Sequence, residues 1–332
     1  MNVLVVGGGP AGLAAAIALR RRGMAVTVMD GARPPIDKAC GEGLLPSSTS
    51  SLRRLGVSIP EGMGFPLRGI RFFNNGAEAT AEFPKGQAGL GIRRTALHSL
   101  LVEKAEEAGV LLQWGAPVST LDLPFDWIVG ADGINSSVRL KAGLEEPVFH
   151  RRRFGFRRHY RIQPWSPYVE VHWRNGFQIY VTPVGGEEVS IAILTRAAQI
   201  DFAAAIAPLD HRLNGARICS AERGAVTSLR RLRSIQNGNV ILLGDASGSV
   251  DAITGEGLGC AFQQAQALAD SLMLAGSGEH YRNAHRGLFR RPILLSRLLL
   301  ALDAHPIVRA AAIRGLAAAP PLFGQLLRTL SG

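Results

Sequence analysis

The sequence predicts an α/β fold: a three-layer, Rossmann-like domain around a parallel sheet, an inserted mainly antiparallel β domain, and a helical C-terminal tail. Three observations predict it. An apolar run from Asn2 to Val6 passes through glycines into a small-residue stretch and then a second apolar run, Ala25 to Met29. That is the outline of a β-α-β unit, in which a helix supplies the crossover that parallel strands require. From Phe154 to Leu194 the apolar residues alternate instead, as in sheets with one face on a core. Beyond Tyr281 the chain turns to Leu, Ala and Arg in a helical texture.

In chain order, Ala11 to Arg22 reads as a helix ended by Gly23, and Asp30 closes the second strand. Ser47 to Leu55 reads as a short helix. Arg68 to Phe83 reads as strands around the turn Asn74-Asn75-Gly76. Arg94 to Ala108 reads as an amphipathic helix, with Leu97, Leu100, Leu101 and Ala105 on one face. Trp127 to Val129 is a buried strand opening into glycines. Val169 to Trp173, Gln178 to Thr182 and Val189 to Leu194 are strands of the inserted sheet, and Asn239 to Leu243 returns to the buried type. Gly257 to Leu274 is a helix. The expected division is a dinucleotide-binding domain at 1–66, 89–148 and 234–275, a substrate domain at 67–88 and 149–233, and a helical segment at 276–332.

Composition bounds the function. With 47% hydrophobic and 19% charged residues, the 332-residue chain can bury a sizeable core, and disorder is not expected. The net charge of +11 gathers at Arg151, Arg152, Arg153, Arg157, Arg158 and Arg161, and at Arg230, Arg231 and Arg233. A solvated basic face is the plain reading; steering of anionic cofactors or docking on an anionic membrane are the others. Aromatic residues are only 6% and no nucleic-acid motif is present, so nucleic acid is not an expected partner. Cys40, Cys219 and Cys260 are scattered and unpaired in sequence, which fits a reducing cytoplasm and no zinc site. The start of the chain has neither the charge nor the apolar length of a signal peptide or membrane span. Arg297, Asp303, Arg309 and Arg314 interrupt the tail too often for a span.

The chemistry-bearing motif is Gly7-x-Gly9-Pro10-Ala11-Gly12. Gly7 allows the tight turn, Gly9 lets the backbone approach a pyrophosphate, and Gly12 lets the helix pack on the sheet. Helix N–H groups then face the phosphates. Asp30, followed by Gly31, stands where a carboxylate can accept hydrogen bonds from an adenosine ribose. Gly244-Asp245 closes a strand far downstream, and Thr254-Gly255-Glu256-Gly257 opens a helix. An Asp at the first place can hold ribityl hydroxyls; a helix N-terminus at the second can stabilise a reduced flavin ring.

With Arg94-x-x-Leu97-x-x-x-Leu101 and Ala131-Asp132-Gly133-x-x-Ser136-x-Val138-Arg139, these motifs stand in an order that resembles the FAD-dependent monooxygenases of the p-hydroxybenzoate hydroxylase type and their relatives, the geranylgeranyl reductases. The resemblance covers most of residues 1 to 275. It implies FAD as cofactor and NAD(P)H as a transient co-substrate, since no second dinucleotide loop is present. It implies that Arg94 lies near the flavin and its phosphates. Ala131, Asp132 and Gly133 would serve FAD and the visiting nicotinamide, and Asp245 the ribityl chain. Cys40, Gly41 and Val118 complete the expected cofactor contacts. The chain departs from the hydroxylases at Gly248 and Ala252, where they usually have His and Pro. Its Lys38-to-Leu44 and Asp251-to-Gly257 segments resemble the reductases, while the reductases' Tyr-x-Trp-x-Phe-Pro signature and the halogenases' Trp-x-Trp-x-Ile-Pro are absent.

The candidate proton-handling groups are Cys40, Glu42 and Glu256, set in glycine-rich loops expected to flank the flavin. For each, a purely structural role is the alternative. His172, Tyr180 and Pro183 are the expected wall of the substrate pocket. The scattered histidines form no ligand pattern, so no metal is expected. The expected reaction is NAD(P)H- and O2-dependent hydroxylation of an aromatic or lipophilic molecule. The alternatives are flavin-dependent reduction of carbon–carbon double bonds in an isoprenoid, and a flavin-binding module without turnover. The tail offers peripheral membrane contact to an otherwise cytoplasmic protein.

Overall fold

The computed structural model describes residues 1–145 and 147–331, with the side chains of 147–151 and 329–331 left aside. One sheet has six strands, in the order 236–237, 240–242, 127–130, 2–6, 25–30 and 111–114. Asn2–Val6 lies inside it, parallel to Ala25–Asp30 on one side and Trp127–Gly130 on the other. Its central strands, at 2–6, 127–130 and 240–242, are almost wholly apolar because helices cover both faces. Val3, Leu4 and Val5 are fully buried, and the helix Pro10–Arg20 packs Leu13 to Leu19 into the same core. The parallel strands all end on one edge. The loops that begin at Gly7, Gly31, Ala131 and Leu243 therefore leave it side by side.

The second sheet runs 248–249, 223–232, 147–161, 188–195, 177–185, 168–173, 69–74 and 77–82, with 217–218 beside 147–161. Its pairings are antiparallel except between Tyr168–Trp173 and Gly69–Asn74. A small third sheet (43–44, 89–91, 65–67) packs against the strand 177–185 of the second. Leu111–Trp114, Arg223–Leu232 and the full length of Pro147–Arg161 are strands that alternation alone does not reveal. In the last of these, arginines occupy positions where apolar residues would mark an inward face.

The solvated basic face is therefore corrected in part. Arg153 and Arg157, each 1% exposed, point inward on one side of their strand, and Arg230 is also buried. Arg153 Nη1 donates to Asp251 Oδ1 at 3.1 Å, and its Nη2 donates to Gln178. Gln178 in turn donates to Asp303, which also accepts from Arg196 at 2.5 Å. Arg157 donates to Asp37 at 2.5 Å. Arg158 keeps to the surface and pairs with Glu222. The side chain of Arg151 lies outside the described residues.

The tail is three helices, Glu279–Ala304, Pro306–Ala318 and Pro320–Ser331. Two of its charged residues turn inward. Asp303 ends the chain of bonds from Arg153, and Arg309, under Trp173, donates to Asn74 Oδ1 at 3.0 Å. Leu300, Ile313, Phe323 and Leu327 join a core with Ala79, Ala81 and Trp173 of the second sheet and Leu67 of the third. Among the described residues no helix is long and apolar enough to cross a membrane.

Arg153→Ala leaves Asp251, which has no exposed surface, without its cation. Removing one partner of a buried ion pair costs about 3–5 kcal/mol. A fall of that size in the free energy of unfolding by urea is expected.

Candidate flavin and substrate site

One cleft of about 710 Å³ lies between the parallel edge of the first sheet, the inner face of the second and the tail. Its two halves differ in chemistry. At the parallel edge it is walled by backbone: Gly7, Gly9, Pro10, Ala11, Gly31, Gly41, Ala131, Gly133, Gly244, Gly255 and Gly257 all line it, together with Val118. Toward the tail it is walled by apolar side chains.

The backbone half explains its own glycines. Gly7 has φ +112°, and a Cβ there would sit 2.4 Å from the Ala131 carbonyl oxygen. Gly12 does not reach the cleft; a Cβ on it would lie 1.8 Å from Gly7 O, so it is the packing residue the motif requires. Gly9 is different. Its φ is −72°, which any residue adopts, and nothing lies within 4 Å of where its Cβ would be. The space at Gly41 and Gly257 is open in the same way, and it is open at Gly255 too, although the φ of +69° there favours glycine.

The side chains around this cradle are held from behind. Asp30 accepts from the Gly8 and Ala32 N–H groups, each at 2.7 Å, which fixes its carboxylate on the cleft wall. Asp132 accepts from Ser136 Oγ at 2.5 Å and from the Ser137 and Val138 N–H groups, so its carboxylate caps the Ser137–Lys141 helix. Sequence reasoning missed His98, which is buried and bonds Gly8 O at 2.8 Å, and Trp114, whose ring would be 2.2 Å from a Cβ on Gly8. The spacing of His98 from Arg94, one helical turn, was the available signal. Arg94 lines the cleft, and its Nε is buried without a hydrogen-bond partner among the described residues. Orphaned donors, open backbone N–H groups and a fixed acidic residue suit an extended dinucleotide with two phosphates and sugar hydroxyls. Asp245 also lines the cleft, beside the loop that opens the helix Gly257–Ala275.

The three candidate proton-handling residues all line the cleft, in different states. Cys40 Sγ accepts from the Glu42 N–H at 3.4 Å. Glu42 is buried at φ +59° and fully engaged. Its Oε1 accepts from the Arg94 N–H at 2.8 Å, and its Oε2 faces His159 Nε2 at 2.5 Å. Arg157 can only donate, so His159 Nδ1 accepts from it at 2.8 Å and the Nε2–H is left to donate to Glu42. Burial alone would push the Glu42 carboxyl up; the bonds from His159 and Arg94 outweigh it and hold the group below its ordinary range. Glu256 is the reverse. Its Oε2 is shut off from solvent with no hydrogen-bond partner among the described residues, and burial, against the pull of Arg291, pushes it up to about 7.

In the other half, Ile70, Phe72, Val169 and Val171 present one face of the second sheet, Leu67 of the third sheet stands with them, and Leu299 and Phe323 close it from the tail. Tyr180 lines this part; its hydroxyl donates to Ile253 O at 3.3 Å, and burial pushes it well above the ordinary phenol range. His172 does not line the cleft. It lies on the opposite face of its strand from Val171, stacked on Phe73 with centroids 4.5 Å apart and 3.3 Å from Glu170. Pro183 is also off the cleft, and Thr182 beside it faces in. The alternation that marked a pocket wall was read one residue out of phase. The tail's part in the wall was missed, although Leu295, Leu299 and Leu302 recur at helical spacing.

A parallel sheet whose loops make a phosphate-ready cradle, joined to an apolar chamber under a second sheet, defines a flavin-dependent oxidoreductase. The comparisons agree. Residues 1–122 match the FAD binding domain family. A menaquinone reductase of Mycolicibacterium smegmatis is 28% identical over 324 residues, 85% of this chain and 78% of that protein. The aurachin C monooxygenase/isomerase of Stigmatella aurantiaca is 25% identical over 83% of this chain and 80% of its own length. The structure of 2-methyl-3-hydroxypyridine-5-carboxylic acid oxygenase superposes with a TM-score of 0.72 at 22% identity, covering 95% of this chain and 92% of that one. The chain is thus similar to FAD-dependent monooxygenases and reductases along most of its length, carries an FAD binding domain in residues 1–122, and is an FAD-dependent enzyme.

Two predictions follow from the cradle and from Glu42. Gly9→Val fills the space above the turn without a clash, so the protein should keep its melting temperature yet bind FAD at least about tenfold more weakly by fluorescence titration, about 1.4 kcal/mol. Glu42→Gln should cost about 1.5–3 kcal/mol at neutral pH, the worth of hydrogen bonds to a charged group. Because the folded carboxyl titrates below the ordinary 4.5, that stabilisation is full above pH 4.5 and vanishes as pH falls through the folded value. Unfolding curves of the two proteins should therefore converge in acid.

Proposed function

We propose that the chain is an NAD(P)H-driven flavoenzyme that reduces a carbon–carbon double bond in a lipophilic, isoprenoid-bearing small molecule. The observation that carries this is the chamber beside the cofactor cradle, walled by Leu67, Ile70, Phe72, Val171, Leu299 and Phe323. Apolar walls suit a hydrocarbon chain and exclude water from the reacting carbon. Tyr180, on the chamber wall, is held as a neutral phenol on a backbone carbonyl and so does not act as a base on a substrate hydroxyl. The menaquinone reductase named above supports the same reading, as do the Lys38-to-Leu44 and Asp251-to-Gly257 segments. When bound, FAD supplies the hydride exchange between nicotinamide and substrate. The protein positions the chain, keeps water out and provides a proton.

Hydroxylation, placed first by the sequence, is the second reading. The aurachin C monooxygenase/isomerase favours it, and the same dry chamber would serve it. The membrane enters through the cleft's rim. Leu298 and Leu326 line the cleft and are also exposed, next to Leu294 and Leu322 and among Arg290, Arg297 and Arg328. This apolar rim with basic neighbours suits peripheral contact with an anionic bilayer, from which a lipophilic substrate would enter.

The test uses FAD-loaded protein with NADPH or NADH and polyprenyl quinones in detergent, with and without oxygen. A product heavier by two hydrogens, formed anaerobically, is the expected result. A product heavier by one oxygen, with matching oxygen uptake, would replace reduction with hydroxylation. Leu298→Glu with Leu326→Glu should abolish co-sedimentation with phosphatidylglycerol vesicles; unchanged sedimentation would refute the rim's role.

A further inference from the structure

A second cavity lies behind the flavin loop. It has a volume of about 300 Å³ and lies between the helix Pro46–Arg54, the start of the helix Gly257–Ala275 and the first half of Glu279–Ala304. Ser47, Ser48, Gln263, Cys260 and Arg291 line it, and at its outer side Gly287 is exposed, with open space where a Cβ would stand. Glu256 lines both this cavity and the main cleft. It is the residue at which the two spaces meet on one carboxyl group.

We propose that the second cavity is the proton inlet of the flavin site, and that Glu256 carries protons across from one space to the other. The chemistry of the family demands such a supply on either reading of the reaction. Reducing a double bond takes one hydride from the nicotinamide and one proton from solvent. Hydroxylation takes the nicotinamide's hydride, one proton and dioxygen, and yields one hydroxylated carbon and water. In both, the proton must enter a chamber whose walls keep solvent out. Glu256 gives it up by breaking its carboxyl O–H bond toward the cleft, and the carboxylate regains one from water in the polar cavity.

The surroundings fit the role. Glu42, the other carboxylate at the flavin loop, is spent on His159 and the Arg94 N–H and cannot change its charge without unpinning the loop. Glu256 has no such bond at Oε2. The charged and titratable groups that face it are Arg291 from the tail helix, Cys260 from the next turn of its own helix, and Asp245 beyond Cys260. The helix Pro46–Arg54 presents only Ser47 and Ser48 to the cavity. Burial drives Cys260 up to about 12, which leaves it a neutral thiol. Glu256, driven up to about 7, is the group there able to hold and release a proton near neutral pH.

The inference rests on the flavin and not on the substrate, so its test needs no substrate. In the holoenzyme the charge on Glu256 should shift the absorbance of bound FAD, giving a spectral step near pH 7. Glu256→Gln, which keeps the shape of the side chain, should lose that step when loaded with FAD. Gly287→Leu puts a side chain into the mouth of the cavity while leaving Glu256 in place. After a stopped-flow pH jump, its spectrum should follow at least about tenfold more slowly than that of the wild type. Gly186→Leu, on an exposed hairpin away from both spaces, is the control and should follow at the wild-type rate. A step that persists in Glu256→Gln would remove Glu256 from the role. A Gly287→Leu protein that follows the jump as fast as wild type would remove the cavity.

Discussion

The parallel pairing of Asn2–Val6 with strands on both sides is the constraint from which the site hangs. Val5 stands opposite both Val28 and Val129, so Gly7, Asp30 and Ala131 come to the same edge without any contact between their own side chains. Gly7 N–H bonds to Met29 O at 2.8 Å and Ala131 N–H to Val6 O at 2.7 Å, extending the ladder into the loops themselves. The cradle is thus as rigid as the sheet. A slip of one residue in any of the three strands would carry Gly7, Asp30 or Ala131 off the shared edge and break the cradle.

Around that rigid edge the protein sets two carboxylates against each other. Glu42 and Glu256 both come from glycine-rich loops and both line the cleft. Their environments drive them apart: one meets two donors and stays ionised, the other meets burial with no donor at Oε2 among the described residues. An acid and a permanent anion in one site are the arrangement that lets a fold supply protons without losing its shape. The anion is the anchor. It joins the Cys40–Gly43 loop, the first turn of the Arg94 helix and the Arg157–His159 strand, and so brings the two sheets to one place.

Much of this was legible in the sequence, and the limits have physical causes. Gly7, Gly9, Gly12 and Asp30 could be read because each is dictated by the backbone beside it. The downstream segments at Asp132, Asp245 and Glu256 could be read because their loop types are equally local. His172 and Pro183 could not be placed, since the face a strand turns to a pocket depends on the partner strand and not on the strand alone. The buried arginines were misread for a related reason. Arg153 and Arg157 are inside only because Asp251 and Asp37, far away in sequence, meet them there. Charge predicts exposure only where no such partner exists.

The tail shows why the apolar chamber is part of the fold and not an accessory to it. A helix as rich in leucine as Glu279–Ala304 would ordinarily hide its apolar face against one layer. Here Leu300 packs on the second sheet while Leu299 and Leu302, on neighbouring turns, face the cleft. Asp303 and Arg309 fix that orientation by reaching Gln178, Arg196 and Asn74 from inside. Apolar surface that faces a cavity forgoes part of the stabilisation it would gain from tight packing. A protein that leaves so many leucines and phenylalanines around one open space recovers that loss when a hydrocarbon fills it. The same surface that weakens the free enzyme thus supplies the affinity for a lipophilic substrate.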